Sequence, residues 1–471
     1  MYLLFIIVPL LSLIVLNLPF RPVMKKMAFW WLSALLVLQI FLVMGYVFKL
    51  LPHDLNLSIY PAIFNLHIDR LACVALLSIG MVLGTSLLAG KYFIREEEKF
   101  FNFVSLLLII LAGMNGIAMV MDIFSLYVFM EIVAVASFIL ISFYKDKPAL
   151  ESVFKYIILS AVATVMMLLS IALLFFISGN TEFSAIQAAL KNSPHNFIVI
   201  FAIGMFICAL FIKGGLVPFH GWLPEVYASA PAPVSVLLAG VVTKMLGVFI
   251  LIRMAISVIG FSHSMNQVFL FVGALSIVVG ALAALGQSDF KRMLAYSSIS
   301  QVGYILIGIG SGSALGILGA VFHLFNHSVF KSTLFVNSAA LELQTGTRNI
   351  NKMAGLASKM PITAVTSVIS SLSTAGLPPL AGFWSKLLIV LALWLSGNYV
   401  YALVAVTASI ITLAYFILML RKVFFGNNMG EEFANVKEAG FSLLFPACLL
   451  SGINIGLGLA FPLLLKLLNF R

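Results

Sequence analysis

Runs of apolar residues long enough to cross a lipid bilayer follow one another along almost the whole of this chain, and that succession restricts it to one class of fold. A helix needs about 20 consecutive apolar residues to span the hydrocarbon. Stretches that meet the demand lie at 1–20, 27–50, 69–90, 103–120, 121–144, 154–177, 196–219, 231–256, 266–286, 292–311, 314–341, 361–390, 397–424 and 439–466. Lipid offers no water to a backbone N–H or C=O, so segments of this length must satisfy themselves as helices. The expected fold is an all-α integral membrane protein of about fourteen transmembrane helices. Composition agrees, since only 9% of the 471 residues are charged and a soluble globule carries roughly 25%. The stretch from Met1 to Phe20 has no basic leader and no small-residue cleavage site before Arg21, so it is expected to be a retained first span.

The formal charge of +11 does not point to nucleic acid, because the basic residues sit in short loops and form no basic face. Taken by alternate loops, Arg21, Lys25, Lys26, Lys91, Arg95 and Lys99 fall on one side. Lys145, Lys147, Lys155, Lys291, Arg292, Arg348, Lys352, Lys359, Arg421, Lys422 and Lys437 join them. Only Lys49, Arg70, Lys191, Arg253, Lys466 and Arg471 fall on the other. The positive-inside rule puts the crowded side in the cytoplasm and both termini outside. Cys73, Cys208 and Cys448 are isolated in apolar stretches, which supports neither a disulfide framework nor a cysteine metal site.

Lys213, Lys244, Lys331 and Lys386 escape this sorting because all four fall inside spans. A lysine at mid-membrane costs a few kcal/mol even on lenient scales, so each is a functional candidate by default. Two spans are interrupted: the seventh contains FIKGGLVPFHGWLPE, from Phe211 to Glu225, and the twelfth STAGLPPLAGFWSK, from Ser373 to Lys386. Pro218, Pro378 and Pro379 remove backbone donors there, so both helices should break near mid-depth. The two spans are five apart in the count, and an odd offset reverses direction across the membrane. Spans 4–8 and 9–13 are therefore expected to be two inverted five-helix repeats, with helices 7 and 12 broken, an arrangement that marks transport sites. The expected organisation is 1–102 for helices 1–3, 103–256 and 266–424 for the repeats, and 425–471 for a loop and helix 14.

Glu131, in LYVFMEIVAVASF, has no compensating charge on its own span and is the expected partner of Lys213. Desolvation disfavours an ammonium and a nearby carboxylate favours it, so bringing such a pair together or apart moves a proton on or off the amine. The bland alternatives are a carboxylate satisfied by a neighbouring hydroxyl and a lysine that caps carbonyls freed by the break. Lys244 sits mid-span on the next helix, where a relay through water competes with snorkelling. His323, His327 and Lys331 recur every four residues and stack along one helix face. Two histidines at that spacing can hold zinc, but no third ligand is evident, and a proton relay is favoured because histidine titrates near neutrality. Lys386 is the expected exit group beyond the second break. Asp122 is expected as a solvated interfacial charge, Asp289, Lys291 and Arg292 as topology and helix-end charges. His220 and Glu225 are read either as lining an entrance or as solvated loop.

LYVFMEI, KGGLVPFHGWLPE, SDFKRMLAYSSISQVGY, FNHSVFKSTLF and AGLPPLAGFWSK, in that order over roughly residues 60–425, resemble one family. It is that of the antiporter-like membrane subunits of respiratory complex I, Mrp-type sodium/proton antiporters and membrane-bound hydrogenases. The resemblance implies a fourteen-helix core with two inverted five-helix units, each holding one broken helix. It makes Glu131 and Lys213 the coupled ion pair, Lys244 the central lysine, His323, His327 and Lys331 the connecting polar axis, and Lys386 the terminal position. One complex I subunit type carries glutamate where Lys386 stands, so this chain is less similar to that type.

No phosphate loop or nucleotide fingerprint occurs, so coupling must come from an ion gradient or from partners. The expected function is a proton-translocating subunit of a redox-driven complex, without a catalytic site, cofactor or metal of its own. The alternative is a subunit of an Mrp-type exchanger of sodium for protons. Expected partners are other membrane subunits, homologous antiporter-like ones among them, together with the lipid bilayer and the ion, in the inner membrane of a prokaryotic cell. A scaffold that has lost conduction is disfavoured by the retention of every buried base.

Overall fold

The computed structural model describes residues 3–18, 21–48, 65–192, 196–426, 433, 435–461 and 463. Lys49, Lys466 and Arg471, which define part of the sparse side of the charge sorting, lie outside the described residues. Among those described, every regular element is helical and pairing between extended segments is limited to isolated bridges. Eleven helices are long and apolar enough to cross a membrane, and Leu4–Leu16 and Ala381–Leu395 are shorter apolar helices.

The chain divides into two compact units. The first comprises residues 1–214 and 241–261, the second 215–240 and 262–471. The first holds α1 (Leu4–Leu16), α2 (Arg21–Val47), α3 (Arg70–Phe93), α4 (Glu97–Met119), α5 (Ile123–Ile141), α6 (Lys147–Ser178), α7 (Phe183–Asn192) and α8 (Phe197–Gly214). α9 (Trp222–Ser229) and the short α10 (Ala232–Leu237) belong to the second unit. The chain then re-enters the first through π-helical turns at Lys244–Phe249 and Ala255–Ile259 that flank α11 (Ile250–Met254). The second unit continues with α12 (His263–Leu285), α13 (Phe290–Gly310), α14 (Ala314–Thr345), α15 (Pro361–Ala375), α16 (Ala381–Leu395), α17 (Tyr399–Val423) and α18 (Phe441–Leu459).

Both expected interruptions are present, and glycine sets where each begins. α8 stops at Gly214 and α15 at Ala375, and the next residue takes a left-handed conformation that suits glycine, with φ +66° at Gly215 and +89° at Gly376. The chain then runs Leu216-Val217-Pro218 in one break and Leu377-Pro378-Pro379 in the other, and in both the bond before the last proline is cis. The prolines keep the helix from resuming; the glycine has already ended it.

Each unit also contains the same anchor. In the first, Asp122 caps α5 by accepting from the Ser125 N–H, Ile123 N donates to Thr181 O, Phe183 N donates to Met121 O, and Gly179 ends α6. In the second, Asp289 caps α13 by accepting from the Arg292 N–H, Phe290 N donates to Arg348 O, Ile350 N donates to Ser288 O, and Gly346 ends α14. α6 and α14 are both 32 residues long. Every one of these pairs of residues is separated by the same length of chain.

Candidate functional site

In the first unit, α5, α6 and α8 converge on one buried cluster. Lys213 Nζ donates to Glu131 Oε1 at 2.8 Å and to Ser160 Oγ at 2.9 Å, and Thr164 Oγ1 donates to the same Glu131 oxygen at 2.8 Å. Ser160 and Thr164 are four residues apart, which puts both hydroxyls on one face of α6. The lysine is fully buried, whereas the glutamate side chain is 25% exposed. It opens on an otherwise apolar groove of about 510 Å³ formed by α4 and α5, with Leu106, Ile109 and Val135 among its walls. A counter-charge and hydrogen bonds offset the cost of burying an ammonium, and Lys213 has both. The cluster can therefore hold a proton on a lysine beside a carboxylate and release it when the two separate.

Lys244 lies at the start of the π-helical turn Lys244–Phe249, fully buried, with Nζ donating to Thr243 Oγ1 at 3.1 Å. Gly247, three residues on, packs directly against the backbone of Gly214. Near the other end of this helix Arg253 is buried and reaches both oxygens of Asp69, the capping residue of α3, and the carbonyl of Ala118 near the end of α4. Burial by itself pushes the Asp69 carboxyl up, but the hydrogen bonds and charge of Arg253 outweigh it and hold the group below the usual carboxylate range.

In the second unit α14 carries His323, His327 and Lys331, all fully buried. His323 Nδ1 shares a hydrogen bond with Ser385 Oγ at 2.9 Å. Lys331 Nζ donates to Ser297 Oγ at 2.7 Å and to Leu294 O at 3.1 Å, and Tyr415 donates to the same serine. Lys386 Nζ donates to Ala375 O at 3.4 Å and to Ser409 Oγ at 3.3 Å, and lies 4.2 Å from the ring centroid of Tyr304. Its hold on Ala375 caps a carbonyl at the end of a broken helix, the role weighed above for Lys213. Among the described residues no group of three or more histidines, cysteines or carboxylates is placed to hold a metal.

Three expectations about charge need correction. Arg253 is a buried, paired residue inside a helix, because the Asp69 carboxylate and a carbonyl solvate it in place of water. Asp122 is only 9% exposed and acts as a helix cap, not as a solvated interfacial charge. Lys291 is buried and paired with Glu342 at 2.7 Å, while Asp289 is the helix-end residue expected. Sequence reasoning also missed Ser160, Thr164, Ser297 and Tyr304, since hydroxyls are common in membrane helices and carry no signal without their partners.

The sequence profile of the family described as NADH:quinone oxidoreductase/Mrp antiporter, TM matches residues 120–412. The chain belongs to that family. It is 33% identical to a Na(+)/H(+) antiporter subunit of Alkalihalophilus pseudofirmus over 372 residues, 78% of this chain and 74% of the relative. It is 34% identical to NADH-quinone oxidoreductase subunit N of Desulforudis audaxviator over 333 residues, 70% of this chain and 66% of the relative. Its fold superposes on a chain in the structure of the Mrp complex from Dietzia sp. DQ12-45-1b with a TM-score of 0.90 at 25% identity, covering 99% of this chain and 95% of the other. As a member of the NADH:quinone oxidoreductase/Mrp antiporter family with eleven helices long and apolar enough to cross a membrane among its described residues, it is a multi-pass membrane protein.

Proposed function

We propose that this chain is a proton-translocating, antiporter-like subunit of a multisubunit membrane complex, and that the Glu131–Lys213 pair is its loading site. The observation that carries the reading is the 2.8 Å contact between a fully buried lysine and the carboxylate of Glu131. Opening the pair favours release of the proton from Lys213, and closing it favours uptake. Lys244, His323, His327, Lys331 and Lys386 are the further carriers, the first belonging to the first unit and the others to the second. Protons are favoured over sodium because the buried groups are mostly bases, whereas a sodium site would want several oxygen ligands.

The two anchors of identical geometry, at Asp122 and Asp289, support two copies of a five-helix repeat. The odd number of spans between them supports inverted orientation. Leaving out the ten-residue α7 and counting α8 with α9, α10 with α11, and α15 with α16 as single interrupted spans, the described helices are compatible with the expected fourteen crossings. An even number of crossings puts both termini on one face, which the loop charges assign to the outer side of a prokaryotic inner membrane.

Two parent assemblies are supported by different likenesses. Similarity to the NADH-quinone oxidoreductase chain of Desulforudis audaxviator favours a redox-driven complex, and similarity to the Na(+)/H(+) antiporter chain of Alkalihalophilus pseudofirmus favours an exchanger. Extraction of the native complex in mild detergent and identification of its companion chains separates them. Quinone-reductase or hydrogenase chains mean the first, and small antiporter membrane chains alone mean the second. The site itself is tested by Lys213→Ala, which should assemble normally and abolish coupled ion movement; full pumping by that variant would remove Lys213 from the mechanism.

A further inference from the structure

The two broken helices share a local plan but not their side chains. Matching them at Gly215 and Gly376 sets Lys213 against Thr374, Leu210 against Ser371 and Ala209 against Ser370. α8 is apolar up to its lysine. α15 carries seven serines and threonines in 15 residues, all of them buried. Small hydroxyl residues help membrane helices pack, yet the corresponding helix of the first unit is built without them, so the break does not require them.

Their arrangement is directional. Thr363, Ser367, Ser371 and Ala375 recur every four residues along one slowly turning face. At the first end Thr363 Oγ1 donates to Glu438 Oε1 at 2.6 Å, and Glu438 also accepts from the Ile362 N–H. In the middle Asn337 of α14 donates to Thr366 and Ser367 at 3.0 and 2.9 Å. Beyond it the hydroxyls of Ser370 and Ser371 are fully buried with no hydrogen-bond partner among the described residues. At the far end Lys386 holds the Ala375 carbonyl, its stem lying so close over Gly376 that a Cβ there would sit 2.9 Å from Cδ. Buried hydroxyls in native proteins are satisfied by protein or by water, and here the described residues offer no partner.

We infer that α15 lines a water-filled route by which protons pass between Glu438, at the end bearing Lys359 and Lys437, and Lys386. The inference rests on the proton-translocating reading and adds to it a second point of access, with Glu438 as its mouth. Ser370 and Ser371 hold the water and Asn337 orders the hydroxyls before it. α8, lacking those hydroxyls, makes no such route.

The test reads wetness directly. With Cys73, Cys208 and Cys448 replaced by alanine, single Ser370→Cys, Ser371→Cys and Ala209→Cys variants of the assembled complex are exposed to silver ion from the Lys359 side. Each is then unfolded and labelled with a maleimide. Silver should protect the cysteines at 370 and 371 at least tenfold faster than the one at 209, and Glu438→Gln should slow that protection. Equal, slow protection at all three positions would overturn the route. Should Ser370→Cys fail to assemble, Ser367→Cys reads the same face one turn nearer the mouth. Dry cysteines in a complex that pumps would sink the route and spare the Glu131–Lys213 site; wet cysteines in a complex whose Lys213→Ala variant still pumps would do the reverse.

Discussion

Lys213 and Thr164 both donate to one oxygen of Glu131, at the same 2.8 Å, from two different helices. The carboxylate is thus the hub of the cluster, and the lysine is the member that can give up a proton. Charge and proton release can be told apart by substitution, because arginine keeps the positive charge but does not deprotonate in proteins. Lys213→Arg is expected to assemble and to lose transport by roughly 10²-fold or more, the range in which a missing acid–base group is felt. Ion movement across reconstituted vesicles measures it, and wild-type rates in Lys213→Arg would mean that only the charge matters.

The Asp69–Arg253 pair gives a stability prediction with a definite sign. Arg253 cannot neutralise itself and its side chain is 2% exposed, while that of Asp69 is 34% exposed. Asp69→Ala, which strands the arginine, should therefore cost about 3–5 kcal/mol, as is typical of an orphaned buried charge, and more than Arg253→Met. The folded-state value of Asp69 is held low, so its contribution is complete above the unfolded carboxylate value of about 3.9. It is lost as pH falls through the folded value. The Tm gap between wild type and Arg253→Met in detergent should be widest near neutral pH and shrink below about pH 4; a gap that widens with acid contradicts the pairing.

What could be read from the text of the chain was whatever broke its monotony. A lysine or glutamate in an apolar run, and a Gly-Leu-x-Pro sequence in a helix, are anomalies in one dimension, so Glu131, Lys213, Lys386 and both breaks stood out. Their partners did not. Ser160 and Thr164 become ligands only because α6 packs against α8, and Ser297 only because α14 lies beside α13. Arg253 lay near a span end and looked like a loop charge, and its burial depends on an aspartate 184 residues away. Apart from the two aspartate caps, the repeated anchors at Asp122 and Asp289 rest on backbone hydrogen bonds that carry no side-chain signature, so the sequence does not reveal them. π-helical turns likewise have no propensity signature, although they carry Lys244.

Tyr304 is the support under Lys386. Its ring faces the ammonium at 4.2 Å, and its hydroxyl donates to Ala405 O at 2.6 Å. Tyr304→Phe keeps the ring and loses the hydroxyl, whereas Tyr304→Leu also removes an attraction of about 0.5–2 kcal/mol. Transport should survive the first substitution largely intact and drop severalfold in the second. An equal effect of both would assign the role to the hydroxyl network and not to the ring.

Gly247 is where packing and the Glu131–Lys213 cluster meet. A Cβ at that position would press on Gly214 Cα, lie 2.7 Å from Gly214 N and 3.1 Å from Leu210 O. All three are backbone atoms, which cannot swing aside as a side chain can, so alanine must push α8 away from the π-helical turn. Gly214 follows Lys213 in the chain, and any such shift moves the ammonium relative to Glu131. Overpacking of this kind costs about 1–3 kcal/mol. Gly204→Ala, on α8 itself, is the control, since nothing lies within 4 Å of its would-be Cβ; replacing glycine inside a helix there should be neutral or stabilising by up to about 1 kcal/mol. Gly247→Ala is therefore expected to lower Tm and transport together, and Gly204→Ala to lower neither. Unchanged transport in Gly247→Ala would show that the close approach of the two backbones does not position Lys213.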